Sequence, residues 1–471
     1  MVTKRRPRET FSWGATSHEA TLAPRCRPMH AAPRVPGLPL VGNLFEMRRD
    51  LIAFLVGVAK RDGDAAWAKQ GIFNLLVVSG PDVMHEVLVE KADAFVKSYA
   101  LSVFARPMLG DGLLTSEHEA HKEQRRRLAP AFAHRRVAAY ADVMATFAEK
   151  AAARMLITKE LDVADEMMRM TLDIVAKALF DANLEGDAEA IAEALTLAMR
   201  HMIRTLMSVV PIPPRVPTPR NIMGLRLVAK LDEVVYRIIE ARRRDPVDRG
   251  DVLSILLAPF EDGGAMSDRE IRDHVMTLLL AGHETTANAL SWSLAELARA
   301  PSVRSQMEAE VSLLGGRTPT FDDLKALPSC LAVLKESMRL HPPAFVMGRI
   351  AERSVTVGGH AVKKGQIVLL NVVGMHRRED LFERADAFEP ERFSAAREAA
   401  LRRHAYLPFG AGPRVCIGNQ FALLEGQIAL AVFASRLRLE LTEPFPSNEP
   451  LITLRPKGGL PMRATPRVTP S

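Results

Sequence analysis

The segment FGAGPRVCIG, residues 409–418, contains the side chain in this sequence best suited to chemistry, the thiol of Cys416. Apolar residues at helical spacing follow it, which places Cys416 at or just before the N-terminus of a helix. The free N–H groups and the helix dipole at such a position favour an anion, so we expect a stabilised thiolate. Gly410 and Gly412 allow the backbone to turn tightly and to approach a flat, bulky group.

The surroundings of Cys416 limit what its sulfur can bind. A lone cysteine is often an inert core residue, and that interpretation stays open on these residues alone. No second cysteine or histidine lies near enough in the sequence to complete a zinc site. A single thiolate suits an iron whose other ligands come from a macrocycle. The chain has only three cysteines, which indicates no disulfide framework and favours a reducing compartment.

A second candidate segment, AGHETT at residues 281–286, lies within a long apolar run. The residues Ser267 and Glu270 form a capping-box pattern that predicts the start of a helix running to Ala300. Glycine and a carboxylate are both costly inside a buried helix, so these residues indicate a function, although a kink or cap site is the alternative. A zinc-protease motif is excluded because Ala287 stands where the second histidine would be.

Two charged pairs at helical spacing complete the set. Glu336 and Arg339 are three residues apart, and in isolation such a pair is usually an exposed salt bridge worth less than about 1 kcal/mol. His121 and Arg125 are four residues apart and therefore share one helix face. Neither pair reveals its function without further context.

The segment FGAGPRVCIG resembles the haem-binding signature of the cytochrome P-450 family, Phe-x-x-Gly-x-Arg-x-Cys-x-Gly, at every specified position. The resemblance implies haem b as the cofactor and Cys416 as the axial thiolate ligand of its iron. Phe409 would pack beside the haem, Arg414 would pair with a haem propionate, and Gly418 completes the signature.

Other segments are similar to further parts of the same family. AGHETT resembles its oxygen-activation segment, which implies that Gly282 opens a groove for dioxygen and that Glu284 and Thr285 are a catalytic acid–alcohol pair. HEAHKEQRRRL and MGRIAE resemble segments whose side chains reach the haem propionates; those side chains are His121, Arg125 and Arg349.

Glu336 and Arg339 resemble the Glu-x-x-Arg pair of the family. The later segment FEPERF, residues 388–393, supplies a third partner, Arg392. The resemblance therefore implies a buried, fully paired charge cluster that braces the core behind the thiolate loop.

The sequence predicts one mainly α-helical domain with a small β part, spanning residues 37–471, in the single-domain cytochrome P-450 fold. The resemblance places the haem between a long central helix and the helix after the thiolate loop. The stretch 354–373 is rich in β-branched residues broken by Gly-Gly and Lys-Lys-Gly turns, so we expect strands there. Residues 1–36 are basic and rich in proline and alanine, which predicts a disordered tail, or a start of translation at Met29.

Composition excludes several functions. The net charge of +7 is moderate, and no motif of a known nucleic-acid reader is present. The apolar run 276–292 carries His283 and Glu284 at its centre and is therefore a poor membrane span. We expect a cytoplasmic protein without a membrane anchor.

The resemblance implies a monooxygenase that inserts one atom of O2 into a lipophilic compound of the fatty-acid, terpenoid, steroid or polyketide type. Apolar stretches at 102–109, 201–214 and 344–348 are candidate substrate contacts. Electrons would come from a separate ferredoxin and its reductase. An acidic ferredoxin could dock on the basic residues around Lys122 to Arg127 and at Arg402 and Arg403, although a solvated charged face is the alternative. A peroxide-driven or isomerase-type haem-thiolate enzyme, and a non-catalytic haem protein, are the alternative functions.

Overall fold

The computed structural model describes residues 32–183, 188–208, 212–260 and 263–467. Helices account for most of these residues. The α-helices are α1 (Leu44–Arg49), α2 (Leu51–Asp62), α3 (Pro81–His85), α4 (Arg106–Leu109), α5 (His118–Leu128), α6 (His134–Ala139), α7 (Ala141–Thr158), α8 (Val163–Phe180), α9 (Ala188–Leu206), α10 (Pro219–Arg244), α11 (Val252–Leu257), α12 (Asp268–Arg299), α13 (Pro301–Ser312), α14 (Pro328–Leu340), α15 (Val372–His376), α16 (Ala395–Ala399) and α17 (Asn419–Arg436).

The strands are short and form four small sheets among the described residues. They are β1 (Ala65–Gln70), β2 (Phe73–Val78), β3 (Phe95–Lys97), β4 (Glu160–Asp162), β5 (Met347–Ala351), β6 (Val355–Val357), β7 (His360–Val362), β8 (Ile367–Leu370), β9 (Leu437–Leu441), β10 (Asn448–Pro450), β11 (Leu454–Pro456) and β12 (Pro461–Pro466). The largest sheet has the order β1-β2-β8-β5-β3, and the next has the order β4-β12-β9. The prediction of a mainly α-helical fold with a small β part is confirmed.

The long helix α12 begins where its capping box predicts. The Ser267 side chain accepts a hydrogen bond from the Glu270 backbone N–H, and the Glu270 carboxylate accepts one from the Ser267 N–H. Pro301 opens the next helix, α13. Nearly all of the middle of α12 is buried in the main hydrophobic core, where it packs against α8, α14 and α17.

The predicted strand region at 354–373 is correct up to residue 370. β6, β7 and β8 lie within it, but Val372 and Val373 begin the helix α15 instead of extending a strand. The Asn371 side chain accepts a hydrogen bond from the Gly374 backbone N–H at 3.0 Å. This local cap overrides the β-propensity of the two valines.

The predicted tail, residues 1–36, falls mostly outside the described residues, which begin at Ala32. The residues after that point pair with β1. The Val35 N–H donates to the Trp67 carbonyl at 2.8 Å, and the Trp67 N–H donates to the Pro33 carbonyl at 2.8 Å. Ordered backbone is therefore already present before residue 37, the start of the predicted domain.

Candidate functional site

Cys416 lies in a tight loop that ends two residues before α17. The Cys416 N–H donates to the Phe409 carbonyl at 3.0 Å, and the Val415 N–H donates to the Gly412 carbonyl at 3.0 Å. Gly412 has φ +69°, and a Cβ on it would lie 2.0 Å from the Leu88 carbonyl oxygen. Only glycine fits that conformation and that close approach, so the glycine fixes the path of the chain toward the sulfur.

The two flanking signature residues hold the loop against the protein. The Phe409 ring is partly buried against the main core. Gly418 is the N-cap of α17, and a Cβ there would be 3.6 Å from the Phe132 ring. The predicted position of Cys416 just before a helix is correct.

The Cys416 thiol is accessible although protein surrounds it closely. Its side chain is exposed, yet desolvation raises the pKa of the thiol, while the Gly418 backbone N–H and Arg125 oppose that shift. A sulfur at the bottom of a recess shows both properties. Burial therefore outweighs the helix N-terminus, contrary to the stabilised thiolate that the sequence predicts for the protein alone, and a thiolate here needs a positive partner such as a metal ion.

Two cations lie opposite each other on the neighbouring strands β3 and β5 of the largest sheet, beside the Cys416 loop. Lys97 on β3 is the direct cross-strand partner of Arg349 on β5. Desolvation and the neighbouring Arg414 lower the pKa of Lys97 to about 7 and that of Arg349 to about 10. Like charges directly opposite on a sheet are destabilising, so this pair requires an anion nearby.

Two more cations and one carboxylate complete this cluster. Arg414 donates to the Ser116 carbonyl at 2.7 Å and forms an ion pair with Glu117. Arg125 donates to the Val415 carbonyl at 2.7 Å, next to Cys416. Glu117 also accepts a hydrogen bond from the Lys97 backbone N–H at 2.8 Å. We call Lys97, Arg125, Arg349 and Arg414 the cation cluster.

His121 is buried among these charges. Burial, together with the charges of Arg414, Lys97 and Arg125, lowers its pKa to about 3. The imidazole is therefore neutral at physiological pH. Its ring forms no hydrogen bond with the described residues, so its N–H is available to an acceptor.

These residues fit a haem. The cation cluster sets three arginines and the partly protonated Lys97 against one carboxylate, Glu117, and Arg349 forms no ion pair within the described part of the chain. Two propionates would supply the missing negative charge through charge-assisted hydrogen bonds. The accessible sulfur of Cys416 would supply the single protein ligand of the iron.

Within AGHETT, the structure does not bring Glu284 and Thr285 together. The Thr285 hydroxyl is accessible and donates to the Ala281 carbonyl one turn earlier, at 2.7 Å. Glu284 is buried and accepts a hydrogen bond from the Thr453 hydroxyl at 2.6 Å. Consecutive helical residues point in different directions, which explains the separation.

Gly282 gives room to a neighbouring helix. A Cβ at this position would lie 2.9 Å from the Val175 side chain on α8. The glycine therefore allows α8 to pack closely against α12. This contact is one reason for the glycine, and the groove that the resemblance implies stays a prediction.

The charge cluster of Glu336, Arg339 and Arg392 is fully buried and fully paired. Arg339 holds Glu336 through two bonds of 2.7 and 2.8 Å, and Arg392 reaches Glu336 at 3.2 Å. Arg339 also donates to the carbonyls of His376, Ala385 and Ala387. The arginines thus tie α14 to the irregular segment between α15 and the Cys416 loop.

Sequence reasoning missed Lys97, Glu117 and Thr453. Each contacts or lies opposite a site residue more than 150 positions away, namely Arg349, Arg414 and Glu284 respectively. No local pattern marks them, because their roles arise from strand register and from loops that meet only in the folded protein.

Comparison with known proteins identifies the family. The family model "Cytochrome P450" matches residues 33–462. The chain belongs to the cytochrome P450 family. It is 35% identical to cyclooctatin synthase of Streptomyces melanosporofaciens over 91% of this chain and 93% of that protein. It is 30% identical to pentalenene oxygenase of Streptomyces avermitilis over 86% and 90% of the two chains.

A solved structure supports the same assignment. The crystal structure of the cytochrome P450DA heme domain superposes with a TM-score of 0.83 and 28% sequence identity, covering 94% of this chain and 99% of that one. The protein is accordingly a cytochrome P450 monooxygenase, an enzyme with a haem-iron cofactor. No helix in the described part of this P450 has the length and apolar character needed to cross a membrane.

Proposed function

We propose that this P450 is a haem b monooxygenase that oxidises a terpenoid compound with electrons from a ferredoxin. The observation that carries the oxygenase assignment is the accessible Cys416 sulfur beside a cation cluster short of negative charge. When bound, the haem supplies activation of dioxygen and transfer of one oxygen atom. The chain supplies the thiolate, the propionate contacts, the substrate recess and the protons.

We assign the binding roles as follows. Cys416 would ligate the iron, and Phe409 and Gly418 would hold its loop against the cofactor. Arg125, Arg349 and Arg414 would pair with the propionates, with His121 as a neutral donor. We add Lys97, whose depressed pKa and position opposite Arg349 are relieved by an anion.

Thr285 would act on the oxygen side of the site. Its hydroxyl bonds to Ala281 and is accessible, so a rotation about χ1 makes it available as a donor. Glu284 has its pKa raised to about 7 by burial, which suits a group that takes up and releases protons near neutral pH. The chain thus retains both an acid and an alcohol at this position. A peroxide-driven enzyme, an isomerase-type enzyme and a haem carrier do not need these two groups.

The substrate class rests on the relatives and on an apolar recess between α4, α9 and α10, separate from the recess at Cys416. Two of the relatives are named for an alkenol and an alkene, "Cyclooctat-9-en-7-ol 5-monooxygenase" and "Pentalenene oxygenase", and compounds of this kind occur among terpenoids. Two of the three predicted substrate stretches, 102–109 and 201–214, line one largely apolar recess; its residues from them are Phe104, Pro107, Met108, His201, Met202, Thr205 and Pro214. Residues 209–211 of the second stretch lie outside the described residues.

A fatty acid is the second candidate substrate. The chain is 32% identical to leukotriene-B4 omega-hydroxylase 3 of Mus musculus over 82% of its length. A fatty acid would need a cation for its carboxylate. Within the described residues the recess is lined by no lysine or arginine, and this favours the terpenoid.

The redox partner is proposed from charge. Arg126 is exposed on the same helix as Arg125, which contacts the Cys416 loop, and it forms no ion pair within the described residues. Arg403 is also exposed. An acidic ferredoxin, with its reductase, would be steered to this side of a cytoplasmic enzyme.

The test is a binding screen followed by turnover. Cyclic terpenoid alkenes and alcohols, and fatty acids of matched carbon number, are titrated into the ferric protein while the haem spin state is monitored. Hits are incubated with O2, reduced nicotinamide, a surrogate ferredoxin and its reductase. We expect spin-state shifts and mono-oxygenated products from terpenoids. Products from fatty acids alone would overturn the substrate class, and products that form only with added peroxide would overturn the ferredoxin-dependent reaction.

A further inference from the structure

The Glu284 carboxylate is enclosed in the middle of α12, and the described residues give it a single hydrogen-bond donor. It is 1% exposed, and the Thr453 hydroxyl donates to its Oε1 at 2.6 Å. Thr453 lies in the turn between β10 and β11, far along the chain from α12. A buried carboxylate is stable only where such a partner is provided, so Thr453 decides where this side chain rests.

The hydrogen bonds at Thr453 run in one direction. Asn288, one turn after Glu284 on α12, donates from Nδ2 to the Thr453 hydroxyl oxygen at 3.0 Å. Because the Thr453 hydroxyl oxygen already accepts a hydrogen bond from Asn288, its proton is directed at the Glu284 carboxylate. An amide cannot pass on a proton, so this chain of bonds holds the carboxylate and does not connect it to solvent.

The turn that carries Thr453 is anchored on both sides. The Leu454 N–H donates to the Pro343 carbonyl at 3.1 Å. The Leu454 carbonyl accepts from the Trp292 indole N–H at 3.1 Å. The Thr453 hydroxyl is thus held at a fixed distance from α12, and it draws Glu284 away from the accessible face where Thr285 lies.

We propose that Thr453 is a positioning residue that latches Glu284 in a resting position and that the acid serves the reaction only when this latch opens. Asn288 orients the latch. Opening requires only that Thr453 and Glu284 separate, after which the carboxylate turns toward Thr285. The proposal rests on the proposed role of Glu284 in proton delivery and extends it by naming the group that controls that role.

The surroundings of Glu284 set its pKa, so a change in that pKa reports on the hydrogen bond from Thr453. Burial outweighs the opposing effects of the Thr453 hydrogen bond and of the charge of Arg455 on β11, and the pKa of Glu284 is raised to about 7. Arg455 also bonds to Thr196 on α9 at 3.4 Å. Burial keeps the adjacent His283 neutral by lowering its pKa to about 4. Within the described residues, no other charged group on the helices and strands packed against α12 adds to the shift.

The test is an infrared titration of the resting, haem-loaded protein without substrate or electron donor. The carboxylic-acid band that disappears in Glu284→Gln identifies Glu284. Thr453→Val removes the donor, so we expect the pKa from this band to rise by about one unit, a tenfold change in ionisation. Thr453→Ser keeps a hydroxyl and should restore most of the native value.

Two further variants separate the effect of the Thr453 hydroxyl from a general disturbance of α12. Asn288→Ala leaves Thr453 in place but frees its hydroxyl, and we expect a smaller rise in the same direction. Thr171→Val is the matched control, because the buried Thr171 hydroxyl bonds to the His283 carbonyl at 3.0 Å and not to the Glu284 carboxylate. An unchanged Glu284 pKa in Thr453→Val or in Asn288→Ala, or an equal rise in Thr171→Val, overturns the latch.

This measurement is independent of the proposed function. It reads a protonation state in a resting protein, so its outcome does not depend on the substrate class or on the redox partner. A failed terpenoid screen with a shifted Glu284 pKa would refute the substrate proposal alone. A successful screen with an unshifted pKa would refute the latch alone.

Discussion

At the residue scale, Glu284 and Thr285 are adjacent in sequence but have opposite environments. Glu284 faces the buried turn at Thr453, and Thr285 lies on the accessible side of α12. A static acid–alcohol pair is therefore absent from the resting structure. On the latch proposal, the two groups cooperate only after Glu284 separates from Thr453 and turns toward Thr285.

Loss of the Thr285 hydroxyl tests its place in proton delivery. Thr285→Ala should keep consuming reduced nicotinamide but release more hydrogen peroxide and less oxidised product, because protons no longer reach oxygen in a controlled way. General acid catalysis contributes about 10²–10⁴-fold, so the fall in product per nicotinamide consumed should be large. Thr285→Ser should lie between the two. Unchanged coupling in the alanine variant would make Thr285 a helix-bending residue only.

The sequence predicted the Cys416 side of the site better than its surroundings. Cys416, Arg414 and the tight glycines belong to one short segment, so their arrangement follows from local geometry. Lys97 and Thr453 could not be found in this way, because each acts on a residue more than 150 positions away. The stabilised thiolate was wrong for the protein alone, since burial of the sulfur depends on the tertiary structure.

At the scale of elements, the helix α14 depends on the buried charge cluster. Glu336 and Arg339 are 0% exposed, and Arg392 approaches from the short helical turn at Pro390–Phe393. Such a cluster stabilises only when every member is paired. Its carbonyl contacts at His376, Ala385 and Ala387 connect α14 with the chain that leads to the Cys416 loop.

Arg339→Ala should leave Glu336 buried without its main partner and cost about 3–5 kcal/mol of folding free energy. Thermal melting and haem content of the purified protein measure the loss. Lys122→Ala is the matched control, because Lys122 and Glu119 have the same spacing on α5 but are 77% and 86% exposed. That pair should contribute less than about 1 kcal/mol. Equal melting temperatures for the two variants would refute the buried-cluster account.

Element boundaries show the same contrast between local and distant causes. The start of α12 was predicted because its capping box lies within four consecutive residues. The helix α15 was missed because the β-branched Val372 and Val373 resemble a strand, while the Asn371 cap and burial beneath α2 decide otherwise. Propensity alone is too weak to overrule such packing.

At the scale of the whole molecule, the largest hydrophobic core of the described residues surrounds α12, and two separate smaller cores lie at the largest sheet. The sequence of residues 1–28 shows little apolar periodicity. We expect a protein lacking residues 1–28 to keep its haem content and its melting temperature. A drop of several degrees on truncation would show that the segment packs against the folded domain.

The central claim is that Cys416 holds haem iron through a thiolate. The most direct measurement is the absorption spectrum of the reduced protein with carbon monoxide, recorded for the native protein and for Cys416→Ala, with Cys330→Ala as the control for a buried cysteine outside the site. The native protein and the Cys330 variant should show the red-shifted band of thiolate-ligated haem, and Cys416→Ala should lack it. A Cys416→Ala protein that keeps this band would contradict the account.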